Sequence, residues 1–305
     1  MHVVVCTVVH HPADARIYFR QIRALLDAGH EVTYIAPFGE DFPERQGQSL
    51  TTVTIPRAAG RRRVGALRAA KAALARYAPG ADLLLVHDPE LLLVLPPRRR
   101  RPPTVWDVHE DTAAALTTKA WLPAFLRPVA AGGVLAAERL AERRLHLILA
   151  EHGYNTRFRH THPVVPNTTV VPEVAPPPSG PRRVVYVGHI SPDRGSAEMV
   201  SLARLLAPHG IAVELIGPAD AAARAHIEAA GDLVHAHGFV PNEQALGMAS
   251  GALAGLSLLH DEGNFRHSMP TKVFEYMALG VPVITTPLPL AVDLVNGAEC
   301  GFVVP

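Results

Sequence analysis

The stretch Ser268–Pro287, SMPTKVFEYMALGVPVITTP, decides the fold. Ser268 is suited to cap a helix and Pro270 to sit in its first turn, where a missing N–H costs nothing. Val273, Phe274, Met277 and Ala278 recur at the i, i+1, i+4 and i+5 spacing of one apolar helix face. Gly280 fits the position just past the helix end, and Val281–Thr285 reads as a buried strand. Glu275 falls one turn inside the helix, on the face away from the apolar stripe. The free N–H groups and positive dipole end of a helix start suit a phosphate. A carboxylate one turn further on suits two neighbouring sugar hydroxyls. The stretch therefore reads in two ways: a plain helix–strand unit with a solvated acid, or a seat for the phosphates and ribose of a nucleotide.

The alternation of strands and helices continues outward from it. Upstream, Arg183–Val187 is a strand, and the loop Gly188-His189-Ile190-Ser191-Pro192-Asp193-Arg194-Gly195 opens a helix. Ile211–Ile216 is a strand ending in Gly217-Pro218, and Ala252–Leu259 is the strand before the opening stretch. Before all of these runs Pro172–Pro181, PEVAPPPSGP, rich in proline and without periodicity, which reads as a linker. Residues 1–171 and 182–305 are thus expected to be separate domains.

The first half has the same grammar. His2–Val9 is a buried-strand pattern, followed by the loop HHPADAR, in which Asp14 can cap a helix. Asp82–Val86 is an apolar strand ending in His87-Asp88, and Thr104–Val108 is another, running into His109, Glu110 and Asp111. Strand ends are where ligands bind in open parallel sheets. Val64–Tyr77, preceded by Arg61-Arg62-Arg63, is a basic helix with Val64, Leu67 and Leu74 as its apolar positions. It reads either as a solvated surface helix or as an attachment to an anionic membrane. The apolar WLPAF at Trp121–Phe125 fits core packing, an acceptor or a membrane.

With 305 residues, two domains are the better expectation. The balance of 29 basic against 28 acidic residues points to neither nucleic acid nor an acidic partner. Cys6 and Cys300 are the only cysteines, so neither a disulfide framework nor a thiolate metal site is expected. No apolar run approaches the roughly 18 residues of a membrane span, and the N-terminus lacks a signal-peptide pattern. A cytoplasmic protein is expected, with peripheral contact at the inner membrane face as the second reading of the basic helix.

The wording of the opening stretch closely resembles the donor-site helix of retaining family-4 glycosyltransferases, which commonly run S-x-P-x-K-x-x-E-Y-M-A-x-G-x-P-V-I. The resemblance covers nearly the whole chain. It implies the GT-B fold: α/β, two Rossmann-like domains facing a cleft. It implies a nucleotide-diphosphate sugar on the second domain and a lipid-linked, glycan or small-molecule acceptor on the first. The reaction would be transfer of a hexose with retention, in glycan, exopolysaccharide or glycoconjugate biosynthesis, without cofactor or metal.

Residue by residue, the family's ribose-binding glutamate matches Glu275. By the same resemblance Gly188, Gly195 and Gly217 would line the donor side, as would His267, Ser268, Met269 and Pro270. WDVHED resembles the motif D-x-H-E, whose histidine, here His109, approaches the donor sugar. In the Gly188–Gly195 loop the family's basic residue neutralises the diphosphate, and Arg194 stands in its place, with Lys272 sharing the leaving-group charge. Asp14 and Arg16 match an Asp-x-Arg that some members carry, and with His87 and Glu110 they would face the acceptor.

Departures from the pattern keep rivals open. HHPADAR replaces the usual glycine pair, and His267 stands where many relatives have a second glutamate. Relatives also continue with helices that cross back onto the first domain, so the chain is expected to be a fragment. The rivals are a non-catalytic partner subunit of the same fold and a GT-B nucleotide-sugar epimerase.

Overall fold

The computed structural model describes every residue except 40, 41, 43–48, 110, 111, 114–124, 126, 175–179, 263, 264, 267 and 268. The chain divides into two compact units, Met1–Pro166 and Asn167–Pro305, a division that falls ahead of the proline-rich segment.

The first unit carries strands β1 (His2–Cys6), β2 (Glu31–Ala36), β3 (Leu50–Thr54), β4 (Leu83–Val86), β5 (Thr104–Val108) and β6 (His146–Leu149). They form one parallel sheet in the order β3-β2-β1-β4-β5-β6. Strands such as VVVC and LLLV are apolar at successive positions because helices cover both faces of such a sheet. The period of two then splits each strand between two cores. Val4, Cys6, Leu84 and Val86 pack with Ala66, Ala70 and Leu74 of the helix Arg63–Tyr77, whereas Val3, Val5 and Leu85 pack with Ile17, Ile22 and Tyr34.

That division corrects the reading of the basic helix. Its inward residues are Ala66, Ala70 and Leu74, and Val64 is 60 % exposed. Of the expected apolar positions Leu74 is in the core and Leu67 packs against it, so only Val64 fails, and Ala66 and Ala70 are the inward positions that a search for large apolar residues misses. The helical turn after β1 also departs from regularity, running as a π-type turn over Ile17–Ile22 before the α-helix Arg23–Asp27.

In the second unit β7 (Arg183–Val187), β8 (Ala212–Ile216), β9 (Val234–Gly238), β10 (Ala254–Ser257), β11 (Val283–Thr285) and β12 (Gly301–Val303) form a parallel sheet in the order β12-β11-β10-β7-β8-β9. Both units thus share one topology, with the order reversing between β1 and β4 and between β7 and β10. Strand β9, VHAHG, is an exposed edge strand, and its polar composition hides it from a search for buried strands.

The decisive helix spans Thr271–Ala278. Pro270 is its N-cap rather than a first-turn residue, no side chain caps it, and Ser268 lies outside the described residues. Tyr276 fixes it to the sheet. The ring is fully buried, and its hydroxyl accepts from Val187 N at 2.9 Å and donates to Leu256 O at 3.3 Å. Gly255 makes room, since a Cβ there would stand 2.4 Å from the Tyr276 ring. Gly255→Ala is therefore expected to destabilise the second unit by about 1–3 kcal/mol, the usual cost of an overpacked core. Urea unfolding followed by a probe in residues 167–305 measures it, and an unchanged midpoint would mean that the helix is not held by this contact.

Candidate functional site

In a doubly wound sheet the loops at the carboxyl ends of the strands part where the strand order reverses, and ligands bind there. In the first unit this point gathers the loop after β1, the His87-Asp88 end of β4 and the end of β5. Asp107, on β5, is completely buried, and Arg16 reaches it from the loop after β1. Arg16 Nε donates to Asp107 Oδ2 and Nη2 to Oδ1, both at 2.7 Å, and Nη1 donates to Val165 O at 2.7 Å. Gln21 Nε2 donates to Asp107 Oδ2 at 2.6 Å. The histidines close round the same carboxylate, with His87 Nδ1 at 3.4 Å and His109 Nδ1 at 3.8 Å from Oδ2.

Burial alone would push the Asp107 carboxyl up, but the facing His109, His87 and Arg16 outweigh it and hold it well below the ordinary range. His87 is completely enclosed, and burial pushes its imidazole down against the pull of Asp107. His87, Asp107 and His109 bring donor atoms within 4.8 Å of one another, a spacing that a metal ion could use. A guanidinium already neutralises that carboxylate through both oxygens.

A second carboxylate, Asp88, is buried beside it. Its Oδ2 accepts from Thr7 Oγ1 at 2.9 Å, Val8 N at 2.5 Å and Val9 N at 3.3 Å, and Oδ1 lies 3.3 Å from His10 Nε2. Asp14 does cap the turn that follows, accepting from Arg16 N at 2.8 Å and Ile17 N at 3.0 Å through Oδ1.

The corresponding point of the second unit is cationic. Lys272, on the first turn of the Thr271–Ala278 helix, is buried, and its Nζ has no hydrogen-bond partner among the described residues. It lies 3.7 Å from the centroid of the Tyr186 ring. Burial pushes the Lys272 ammonium well down, Arg194 pushes it further, and Glu275 opposes both. His189 is lowered by burial and then by Arg194, with Lys272 adding to it, so three basic groups crowd one spot. Burial pushes the Tyr186 phenol up to about 12 against Arg194, which lowers it, so the ring stays neutral under the lysine.

Glycines shape this spot. Gly195 has φ +83°, and a Cβ there would stand 2.7 Å from Leu258. Gly217 has φ +147° and lies so close to Gly188 that a Cβ would come within 2.0 Å of its carbonyl oxygen. At Gly188 a Cβ would lie 3.4 Å from Lys272 Nζ.

The structure brings Lys272, Arg194, Gly188, Gly195 and Gly217 together in the second unit, and Asp14, Arg16, His87 and His109 in the first. Met269 and Pro270 lead into the helix, half-buried. Glu110 and His267 lie outside the described residues, as do Trp121 to Ala124 of WLPAF. Glu275 differs from the solvated acid of the plain reading: it is buried, and Asn242 Nδ2 donates to its Oε1 at 3.2 Å. Sequence reasoning passed over Asp107, Asp88, His10, Tyr186 and Asn242. Only Asp107 carried a signal, being two residues before His109 inside WDVHED.

Comparison with known proteins agrees with this architecture. A family model described as Glycosyltransferase Family 4 matches residues 15–172, and one described as Glycosyl transferases group 1 matches residues 181–305. No curated protein matches the chain. Among solved structures, the sucrose-phosphate synthase of Thermosynechococcus elongatus is 19 % identical with a TM-score of 0.70, covering 100 % of this chain and 85 % of that one. HepE of Anabaena in complex with UDP-glucose is 13 % identical with a TM-score of 0.65, covering 100 % and 85 %. AviGT4, a glycosyltransferase involved in avilamycin A biosynthesis, is 17 % identical with a TM-score of 0.60, covering 97 % and 81 %. These likenesses establish the GT-B fold.

Two outcomes follow from the charges. Asp107→Asn leaves Arg16 buried without its counter-charge and should cost about 3–5 kcal/mol. Because the folded Asp107 carboxyl lies below its unfolded value, its stabilisation is complete above about pH 3.9 and is lost as pH falls through the folded value. Unfolding measured against pH should therefore show a flatter acid limb in Asp107→Asn, and parallel limbs would refute the assignment. For Lys272 the sign is opposite. Between its lowered folded value and about 10.4 the unfolded chain holds a proton that the folded chain lacks, so this group makes stability rise with pH. Lys272→Met should abolish that alkaline rise in melting temperature; a rise that persists would trace to another group.

Proposed function

The chain belongs to the glycosyltransferase family whose model it matches over residues 15–172, and from there we propose that it moves a hexose from a nucleoside-diphosphate sugar to an acceptor hydroxyl, with retention at the anomeric carbon. The observation that carries this is Lys272: a buried ammonium without a hydrogen-bonded partner among the described residues, crowded by Arg194 at the start of a helix. Such a group is held at a cost unless an anion comes to it, and a helix start favours the same charge. A diphosphate fits both. That HepE has been captured with UDP-glucose supports a nucleoside diphosphate as the anion.

In this reading Arg194 and Lys272 take up the charge that develops on the leaving diphosphate as the glycosidic bond breaks. No metal is assigned to this step. Glu275, already an acceptor for Asn242, accepts from the ribose hydroxyls. His109, presented at the switch point of the first unit, hydrogen-bonds a substrate hydroxyl. The acceptor is a lipid-linked, glycan or small-molecule alcohol taken by the first unit. Work in the cytoplasm, with peripheral contact between the basic Arg63–Tyr77 helix and anionic lipid, completes the proposal.

Melting with a panel of nucleotide sugars, followed by assay of released nucleoside diphosphate, tests it. At about 100 times Kd the correct donor should stabilise the chain by about 2.7 kcal/mol. A chain that binds the donor but neither transfers nor hydrolyses it would be a non-catalytic partner subunit. Glu275→Gln should weaken nucleoside diphosphate binding about ten- to a hundredfold, since a charged acceptor for hydroxyls is worth roughly 1.5–3 kcal/mol. The variant should scarcely distinguish the 2′,3′-dideoxy nucleotide from the normal one, whereas the parent chain should bind the dideoxy form poorly. Equal binding of both by the parent chain removes Glu275 as a ribose ligand.

A further inference from the structure

The loop HHPADAR carries a histidine that none of the roles above uses. His10 Nε2 meets His109 Nε2 at 2.9 Å, with ring centroids 4.5 Å apart and planes inclined by 59°. At that separation the two nitrogens must have one proton between them: two would collide and none would set lone pair against lone pair. The surroundings decide which ring holds it. His10 Nε2 is also 3.3 Å from Asp88 Oδ1, while the other Asp88 oxygen is committed to Thr7 and to the N–H groups of Val8 and Val9. A proton on His10 Nε2 thus meets His109 as its hydrogen-bond acceptor and has the Asp88 carboxylate beside it as a favourable charge. A proton on His109 Nε2 would leave Asp88 Oδ1 facing a lone pair. On its other side His109 turns Nδ1 toward Asp107, which is anionic and paired with Arg16, and an N–H there suits it.

The remaining neighbours agree with this arrangement. His10 Nδ1 is 3.9 Å from Asp14 Oδ2 on the same loop. Gln21 donates to Asp107, and the enclosed His87 ring lies 5.5 Å from His109, centroid to centroid.

We propose that His10 is a positioning residue that holds His109 as the Nδ1–H tautomer, with its Nε2 lone pair presented as an acceptor for a substrate hydroxyl. When the hydroxyl arrives, it takes the place of the His10 N–H at His109, and that N–H falls back on Asp88 Oδ1. The exchange keeps the His10 N–H beside an anionic oxygen 3.3 Å away, which limits the cost of its losing His109. The inference rests on the proposed function in one respect only, that the hydroxyl belongs to a sugar substrate; the tautomer is a property of the unliganded protein.

Long-range nitrogen–proton correlation spectra of the chain labelled with ¹⁵N-histidine read the tautomers directly, with single substitutions assigning the two rings. The expected result is His10 as the Nε2–H tautomer and His109 as the Nδ1–H tautomer. His10→Phe keeps a ring but removes the donor, and His109 should then show a mixture of tautomers. His10→Gln offers an amide N–H from nearly the same point and should restore the parent pattern. In a transfer assay His10→Phe should lower kcat about tenfold with the donor KM nearly unchanged, and shift the pH profile, both recovering in His10→Gln. His109 found as the Nε2–H tautomer in the parent chain overturns the proposal, even where no variant folds. So does a His109 signal indifferent to His10→Phe. Absence of any sugar transfer, with the expected tautomers present, would count against the proposed function alone.

Discussion

The first unit depends on the ion pair between Arg16 and Asp107. Two residues 91 positions apart meet through two bonds of 2.7 Å, inside a region from which water is excluded. A buried carboxylate left unpaired would be costly, and a buried guanidinium equally so. The pair therefore fixes the loop after β1 relative to the end of β5. Gln21, His87 and His109 are arranged round it because Asp107 is the anion they face. Arg16 also donates to Val165 O, which ties the last segment of the unit to the same point. The site of this unit is a by-product of that single neutralisation.

The second unit solves the opposite problem. There one of the buried charges is a lysine, and no carboxylate hydrogen-bonds it among the described residues. What holds it is packing: Tyr276 anchors its helix through Val187 and Leu256, Gly255 lets the ring lie flat, and the Tyr186 face lies under the ammonium. One unit thus presents a carboxylate paired with Arg16 and ringed by histidines. The other presents a buried lysine with no hydrogen-bond partner among the described residues. The contrast is what the proposed function builds on in giving the nucleotide to the second unit and a hydroxyl-bearing substrate to the first.

The structure also shows where local patterns mislead. The basic helix Arg63–Tyr77 docks by Leu74 together with the small residues Ala66 and Ala70, which a pattern of large apolar residues does not show. Strand β9 is polar because it lies on an edge, where one flank meets solvent. Glu275 falls off the apolar stripe of its helix and is nonetheless buried, since burial depends on what faces that side, here Asn242.

By itself the sequence determined the parallel α/β architecture, because apolar runs of four to six residues between helical repeats have few other ways to be buried. It also determined the positions of the glycine loops, the Lys272 and Arg194 pair and His109, because those residues lie in short segments whose wording is contiguous. What only the tertiary structure decided is the set of partners. His10 and His109 are 99 positions apart, Thr7 and Asp88 are 81 apart, and Asn242 and Glu275 are 33 apart. In the first unit such pairing is set by the reversal of strand order, which brings the ends of β1, β4 and β5 to one place. Local spacing carries no record of that reversal, so the charges could be read from the chain but not the groups that hold them.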